Sequence, residues 1–502
     1  MKIAALLARC VPAMAAIALT IGVWSPASAQ TPRGILKFGA DTPLNDWETF
    51  NKPGEAHLAL VYEPLIGIAA DGHTLQPKLA TKWEQTATAV TLTLRSGVTF
   101  HDGTPFNAQA AAINIERIKA SKSQFANIFK PVSAVKAVND TTLVLELNGP
   151  APTLLRNLNA RGTMMVSPKA LADGSYLKQG IGTGPWKFNA AASQFGANSK
   201  IVAEYYDGYY APEQVGPRRV EVLSIDDPNS MYNALVTGQI DVAMLPGDIA
   251  KPAEAQGFKV VTAPSLLMHL LMLDRKDTFA NVNVRRAICS AIDTAEWVEA
   301  DLAGYGKSVV QRFQPGEVGH NPDLKPHGPD LAKARAFMAA AGNPKVSFTI
   351  PIYARVKQRA LLLKSQLAPI GIDVNVEQMT AGQYFTFYQT NKYPVQINTS
   401  ASEDPGPYDY YQFRLQADGV GNPFKVQDAG LDALVQKTLA SDPKEQEAGW
   451  RAMAAYVHDN ALDCGFFEHN TVWAFNAKRV DKVVATAMKP SVFRYAESRP
   501  AN

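Results

Sequence analysis

Val61-Tyr62-Glu63-Pro64-Leu65, then Gln76-Pro77-Lys78-Leu79-Ala80-Thr81-Lys82-Trp83, then Thr91-Leu92-Thr93-Leu94-Arg95-Ser96-Gly97-Val98-Thr99-Phe100-His101-Asp102-Gly103-Thr104-Pro105-Phe106 belong to one stretch, 61–118, whose reading decides the fold. Residues 88–94 alternate polar and apolar and stop at Ser96-Gly97, which predicts a strand closed by a turn. Gly103 suits a tight turn, and Asp102 can accept a main-chain N–H there. Thr104 and Pro105 then open a helix over 107–119, on which Ala111, Ile115 and Ile118 share a face. His101 ends a strand and precedes the cap, so packing outweighs ligand contact for it. No part of the stretch reads as catalytic.

The rest of the chain sets the compartment. Lys2 and Arg9, an apolar run over 11–23 and Ala27-Ser28-Ala29 read as a secretory signal over 1–29, cleaved after Ala29. The run is too short to span a bilayer comfortably. Arg9 stands where a lipidated Cys10 would want a small residue, so a freely exported protein is expected. The signal takes two of the 49 basic residues and none of the 46 acidic ones, leaving a mature chain one charge positive. Near-neutrality gives no electrostatic footprint for nucleic acid, and no later segment is long and apolar enough to cross a membrane. Cys289 and Cys464 remain after cleavage; they could pair or stay buried thiols.

Beyond the signal, β-branched strands alternate with amphipathic helices, an α/β or mixed α+β pattern. Strands are predicted at 35–40, 347–351, 371–378 and 395–399, a hairpin at 132–147 turning at Asn139-Asp140, and helices at 331–341, 356–368, 432–439 and 444–460. The strand–helix–strand run 347–378 predicts a parallel pair.

Further motifs follow in order: Gly182-Thr183-Gly184-Pro185-Trp186, Gly238-Gln239-Ile240-Asp241-Val242 and Val282-Asn283-Val284-Arg285-Arg286-Ala287-Ile288. Together with the 61–118 stretch they resemble the family 5 extracellular solute-binding proteins, receptors for peptide, nickel-chelate and opine ABC importers, over nearly the whole mature chain. The resemblance implies a two-lobed periplasmic-binding-protein fold (class II-like) with an inserted extra domain and a two-strand hinge. Lobe one would comprise 30–60, 185–264 and 475–502, the inserted domain 61–184, and lobe two 265–474. The hinge strands would cross near 265–274 and 468–475. The implied partners are a small-molecule solute and the transmembrane subunits of an ABC permease. No cofactor or metal is implied, and a monomer suffices.

Ligand contacts are expected where lobe two faces the cleft. Ala401-Ser402-Glu403-Asp404-Pro405-Gly406-Pro407-Tyr408-Asp409-Tyr410-Tyr411 is a rigid, aromatic and acidic loop after a strand. It resembles the family loop whose aspartate takes a peptide's α-amino group, with Asp404 as the match and Glu403 as the near miss. A buried ammonium needs such a charge-assisted acceptor. Arg355 lies where peptide-binding relatives place an arginine for the ligand carboxylate; Lys357 and Arg359 make a solvated basic face the competing reading. Tyr408, Tyr411, Tyr384 and Trp47 could wall a pocket, core packing being the equal competitor for Trp47. His269, in an apolar strand, reads as a core residue before a ligand. Arg285 and Arg286 are expected to pair with carboxylates.

A nickel- or other metal-chelate receptor, or a receptor for another anionic small molecule, stays open as the alternative within the family. The alternative from another class is a secreted hydrolase. The sequence lacks a Gly-x-Ser-x-Gly elbow and a His-Glu-x-x-His pair. The Ser-x-x-Lys strings at Ser175 and Ser441 have neither the Lys-Thr-Gly nor the Ser-Asp-Asn partner that this chemistry requires.

Overall fold

The computed structural model describes residues 32–40, 44, 46–50, 57–69, 74–196, 199–277, 279–352, 357–379, 383, 390–400, 406–484 and 494–501. Its backbone is one nine-stranded mixed sheet with smaller sheets attached. Strand Ile35–Ala40 lies parallel to Arg219–Ser224 on one side and to Val242–Met244 on the other. Antiparallel strands Lys200–Tyr205 and Trp186–Phe188 extend the first side.

The second side carries two unusually long strands. Lys259–Met272 runs antiparallel to Asp463–Phe475 along almost its whole length, Lys259 opposite Phe475 and Leu271 opposite Asp463. Register shifts interrupt the ladder between Pro264 and Leu266 and between Met268 and Leu270. Pro264 has no N–H to give the ladder. Strand Val395–Ser400 then pairs with the far half of Lys259–Met272. These two strands lead from one hydrophobic core to another. At one end, Trp473 and Phe475 pack with Leu36, Phe38, Val220, Val222 and Trp186. At the other, Leu270, Met272, Cys464 and Phe467 pack with Ile288, Trp297, Phe348 and Val374.

A third core belongs to the opening stretch. Strands Ala80–Gln85, Ala89–Leu94, Thr142–Leu147 and Val132–Asn139 form an antiparallel sheet in that order. Helix Ala108–Lys119 covers it, burying Ala111, Ile115 and Ile118 against Val90, Leu92, Leu143 and Leu145. The helix is capped by Asn107, whose side chain accepts from the Ala110 N–H, and not by Thr104. Thr104 is occupied in the turn before it, where Asp102 accepts its main-chain N–H.

The remaining expected elements form within a residue or two of their predicted limits, except that the helix expected from 432 begins three residues earlier, at Ala429 behind its cap Asp428. Val346–Ile352 and Ile372–Gln378 make the parallel pair, joined through helix Lys357–Leu367. Helices Leu331–Ala340, Ala429–Ala440 and Pro443–Asp459 each start on an aspartate that accepts main-chain N–H groups: Asp330, Asp428 and Asp442. The two cysteines are joined, Cys289 of helix Val282–Ala291 to Cys464 of the long strand, both buried.

Two expectations are corrected. Arg285 and Arg286 donate to main-chain carbonyls instead of carboxylates: Arg285 to Phe279, Ala280 and Asn460, Arg286 to Asp459. The last carbonyls of a helix lack intrahelical partners and sit at its negative end, which suits a guanidinium. Arg359 is not on a solvated face. It is buried and paired with Asp301, Nε 2.7 Å from Oδ2. Among the described residues no helix is long and apolar enough to cross a membrane. The signal segment 1–29 lies outside the described residues.

Candidate functional site

The four-stranded sheet and its surroundings are tied to the segment after strand Lys200–Tyr205 by polar bonds. Glu63 is the centre of one such group. Its Oε1 accepts from Lys78 Nζ at 3.0 Å, Tyr209 Oη at 2.9 Å and Tyr210 Oη at 3.0 Å, and its Oε2 from Thr183 Oγ1 at 3.0 Å. Gly182 and Gly184 lie on the main chain of Val61: a Cβ on either would come within 2.7 Å of carbonyl atoms of Leu60 or Val61. His101 Nε2 bonds the Gly184 carbonyl at 2.8 Å, and burial lowers its pKa to about 4. Asn114 bridges helix Ala108–Lys119 to both polar groups of the Val166 main chain. The opening motifs are thus the joint between two bodies. Sequence reading placed them as scaffold without finding this partner set.

A second group of candidate residues is built on Pro407–Tyr410 and its continuation Tyr411–Leu415. Pro407 at the first position of the helix fixes its φ where no N–H is needed. Tyr408 is half-buried beside Tyr411, ring centroids 6.5 Å apart, and beside Trp450 at 6.3 Å. Gln412 donates to the Tyr408 hydroxyl, while Tyr411 donates to Asp432 Oδ1 at 2.8 Å. Tyr411 is nearly fully buried, so Tyr408 is the member of the pair with surface to offer.

Behind these rings lies a buried polar seam. Tyr410 donates to Asp463 Oδ2, and His269 Nδ1 stands 3.6 Å from the same oxygen. The His269 ring stacks on Phe466, 5.4 Å between centroids and 8° from parallel. Arg312 covers the Tyr410 ring at 4.7 Å. Burial lowers the His269 pKa; Asp463 opposes this, and Arg312 and Arg414 add to it. A cavity of about 20 Å³ lined by Arg312, Phe313, Tyr410, His458 and Asp463 adjoins the seam, room for no more than a water.

Trp47 has no exposed surface in this conformation. It meets the edges of His57 and Phe188 at 4.8 and 5.0 Å, and Gly180 lies flat against its indole. Core packing therefore accounts for it. His269 is equally enclosed and belongs to the Asp463 seam. Asp404, Glu403, Arg355 and Tyr384 lie outside the described residues. The structure adds Asp409 to the residues of interest, for its carboxylate reaches the inserted body: Thr153 Oγ1 donates to Asp409 Oδ1 at 2.7 Å. No sequence signal distinguishes that aspartate from a helix cap.

Comparison with known proteins agrees with this architecture. Residues 74–422 match the model of "Bacterial extracellular solute-binding proteins, family 5 Middle". The glutathione-binding protein GsiB of Pectobacterium atrosepticum is 27% identical over 380 residues, 72% of each chain. That of Escherichia coli K12 is 26% identical over 358 residues, 68% of each. Among solved structures, NikA from Brucella suis in complex with Fe(III)-EDTA superposes with TM-score 0.82 at 21% identity, covering 93% of this chain and 100% of NikA. DppA from Helicobacter pylori in complex with the peptide STSA gives 0.76 at 22% identity, covering 94% and 99%. With separate cores, two long strands shared between two of them and a family match across most of its length, the chain belongs to family 5 of the bacterial extracellular solute-binding proteins.

Proposed function

We propose that this protein is the periplasmic receptor of an ABC importer and captures a small peptide between its lobes. Lobe one is 30–60, 185–264 and 475–502, lobe two is 265–474, and 61–184 is inserted in lobe one. The observation that carries the reading is the strand pair Lys259–Met272 and Asp463–Phe475, which belongs to both cores and is interrupted in register between them. A solute touching both lobes binds only the closed arrangement and so draws the molecule into it. The closed form then docks on the transmembrane subunits of the permease. The solute is released unaltered, and the secreted chain begins at Gln30.

Within the cleft, Asp404 takes the solute's ammonium, Glu403 standing next to it, and Arg355 takes a carboxylate through two parallel hydrogen bonds. Tyr408 and Tyr384 line the remainder. The relatives named for glutathione support a peptide with ammonium and carboxylate groups as the first ligand to test.

Titration calorimetry of the mature protein against glutathione, dipeptides, oligopeptides, opines and chelated nickel tests the reading. One class should bind, with Asp404→Asn and Arg355→Ala each weakening it about tenfold or more. Unchanged affinity for every bound solute in Asp404→Asn would remove the ammonium assignment. Binding confined to an anionic chelate, dependent on Arg355 alone, would establish the metal-chelate alternative.

A further inference from the structure

We propose that Thr153 and Asp409 form a latch that holds the inserted domain against lobe two, and that Gly406 is the seat on which it closes. The inference rests on the closure described above and names a device that sets how often the molecule is closed before a solute arrives.

Three independent features point to it. Thr153 Oγ1 donates to Asp409 Oδ1 at 2.7 Å across 256 positions of sequence, from one body to another. Thr153 also occupies the N-cap position of helix Leu154–Asn157, where a threonine hydroxyl ordinarily accepts from a main-chain N–H of its helix, yet it makes no such capping bond. Its oxygen accepts from Asn157 Nδ2 at 3.4 Å, which leaves its proton to point outward to Asp409. Finally, Gly406 has φ −126° and ψ 173°, extended backbone open to any residue. Backbone conformation therefore does not call for glycine there. Space does: a Cβ on Gly406 would lie 2.7 Å from Thr153 Cγ2.

Each half of the latch is anchored in its own body. The Ala151 carbonyl ahead of Thr153 accepts from Gln85 Nε2 at 2.8 Å, tying the segment to the inserted sheet. The inserted sheet is in turn tied to lobe one through Glu63, which accepts from Tyr209 and Tyr210. On the other side, the next residue after Asp409 is Tyr410, bonded to Asp463 on the long strand. Holding Thr153 to Asp409 therefore holds lobe one to lobe two. A hydrogen bond to a carboxylate shifts such an equilibrium by about tenfold.

The test is a spin-label distance between Val138→Cys and Val420→Cys, exposed positions in the inserted sheet and in lobe two, in the ligand-free mature protein. In the otherwise unaltered protein a short, closed distance should be populated beside a longer one. Thr153→Val and Asp409→Asn should each move the ratio about tenfold toward the long distance, with thermal midpoints showing that both variants fold. Gly406→Ala should do the same by contact alone. Thr153→Ser keeps the hydroxyl and removes Cγ2, so Gly406→Ala combined with Thr153→Ser should return toward the starting ratio. Two populations whose ratio ignores Thr153→Val, Asp409→Asn and Gly406→Ala would overturn the latch and leave closure standing. A single distance that none of these changes moves, with or without a binding solute, would overturn closure and the latch with it.

Discussion

Burying a neutral histidine makes a protein sensitive to acid, and this chain does so twice around its lobe-one joint. Burial lowers the pKa of His57 and of His101 to about 4, against hydrogen bonds to the Asp46 and Gly184 carbonyls that pull the other way. The unfolded chain takes up both protons near pH 6.5, whereas the folded chain resists until about pH 4. Stability is thus whole above pH 6.5 and falls between 6.5 and 4, by about 1.4 kcal/mol per histidine for each tenfold loss of proton affinity on folding. Chemical denaturation at pH 7 and pH 5 should show the loss, and His101→Gln should flatten it only in part, since burial lowers the pKa of His327 to about 4 as well and lowers that of His269. Glu63 gives a second expectation at this scale. Four donors converge on its carboxylate, so Glu63→Ala should cost about 3 kcal/mol. A change near zero in urea denaturation would show that the four donors find other partners.

At the scale of elements, the disulfide fastens helix Val282–Ala291 to the long strand Asp463–Phe475 over a separation of 175 residues. Closing so long a loop should stabilise the chain by about 3–5 kcal/mol. Cys289→Ala with Cys464→Ala should lower the thermal midpoint accordingly and make it indifferent to reductant, while the affinity for solute is kept. The sequence left pairing and free thiols open, because proximity across 175 residues is a tertiary fact. Local elements were legible for the opposite reason. Alternation in 88–94, its stop at Ser96-Gly97 and the shared face of Ala111, Ile115 and Ile118 are signals that the elements carry themselves. The Gly182–Gly184 turn was legible as a turn, but its cause, the approach of the Val61 main chain, was not. Tyr408 was legible as a candidate wall, since an aromatic after a Pro-Gly-Pro loop stands out. Trp47 carries the same signal and is core, because a large ring reads alike in either setting. Asp409 was passed over, its partner Thr153 lying in another body.

At the scale of the whole molecule, two of its cores share one long strand pair, so one core cannot move against the other without bending that pair. A regular antiparallel ladder resists bending, and its weak points are where register slips. Here those are Pro264/Leu266 and Met268/Leu270, opposite the segment from Cys464 to Asn470. At the lobe-one end, by contrast, Phe38 keeps Val222 on one side and Val242 on the other within a fully enclosed core. Solute binding should therefore change amide exchange in 265–270 and 464–470 and leave 36–39 and 220–223 as protected as before. At a hundred times its dissociation constant, the solute should also add about 2.7 kcal/mol to global stability. That gain would slow exchange only in amides released by complete unfolding, which separates it from the local change at the crossing. Exchange that slows uniformly through both lobes, with no excess at the crossing, would mean that the solute binds a preformed site. The strand pair would then be a rigid strut, and the recognition of solute would lie in one lobe alone.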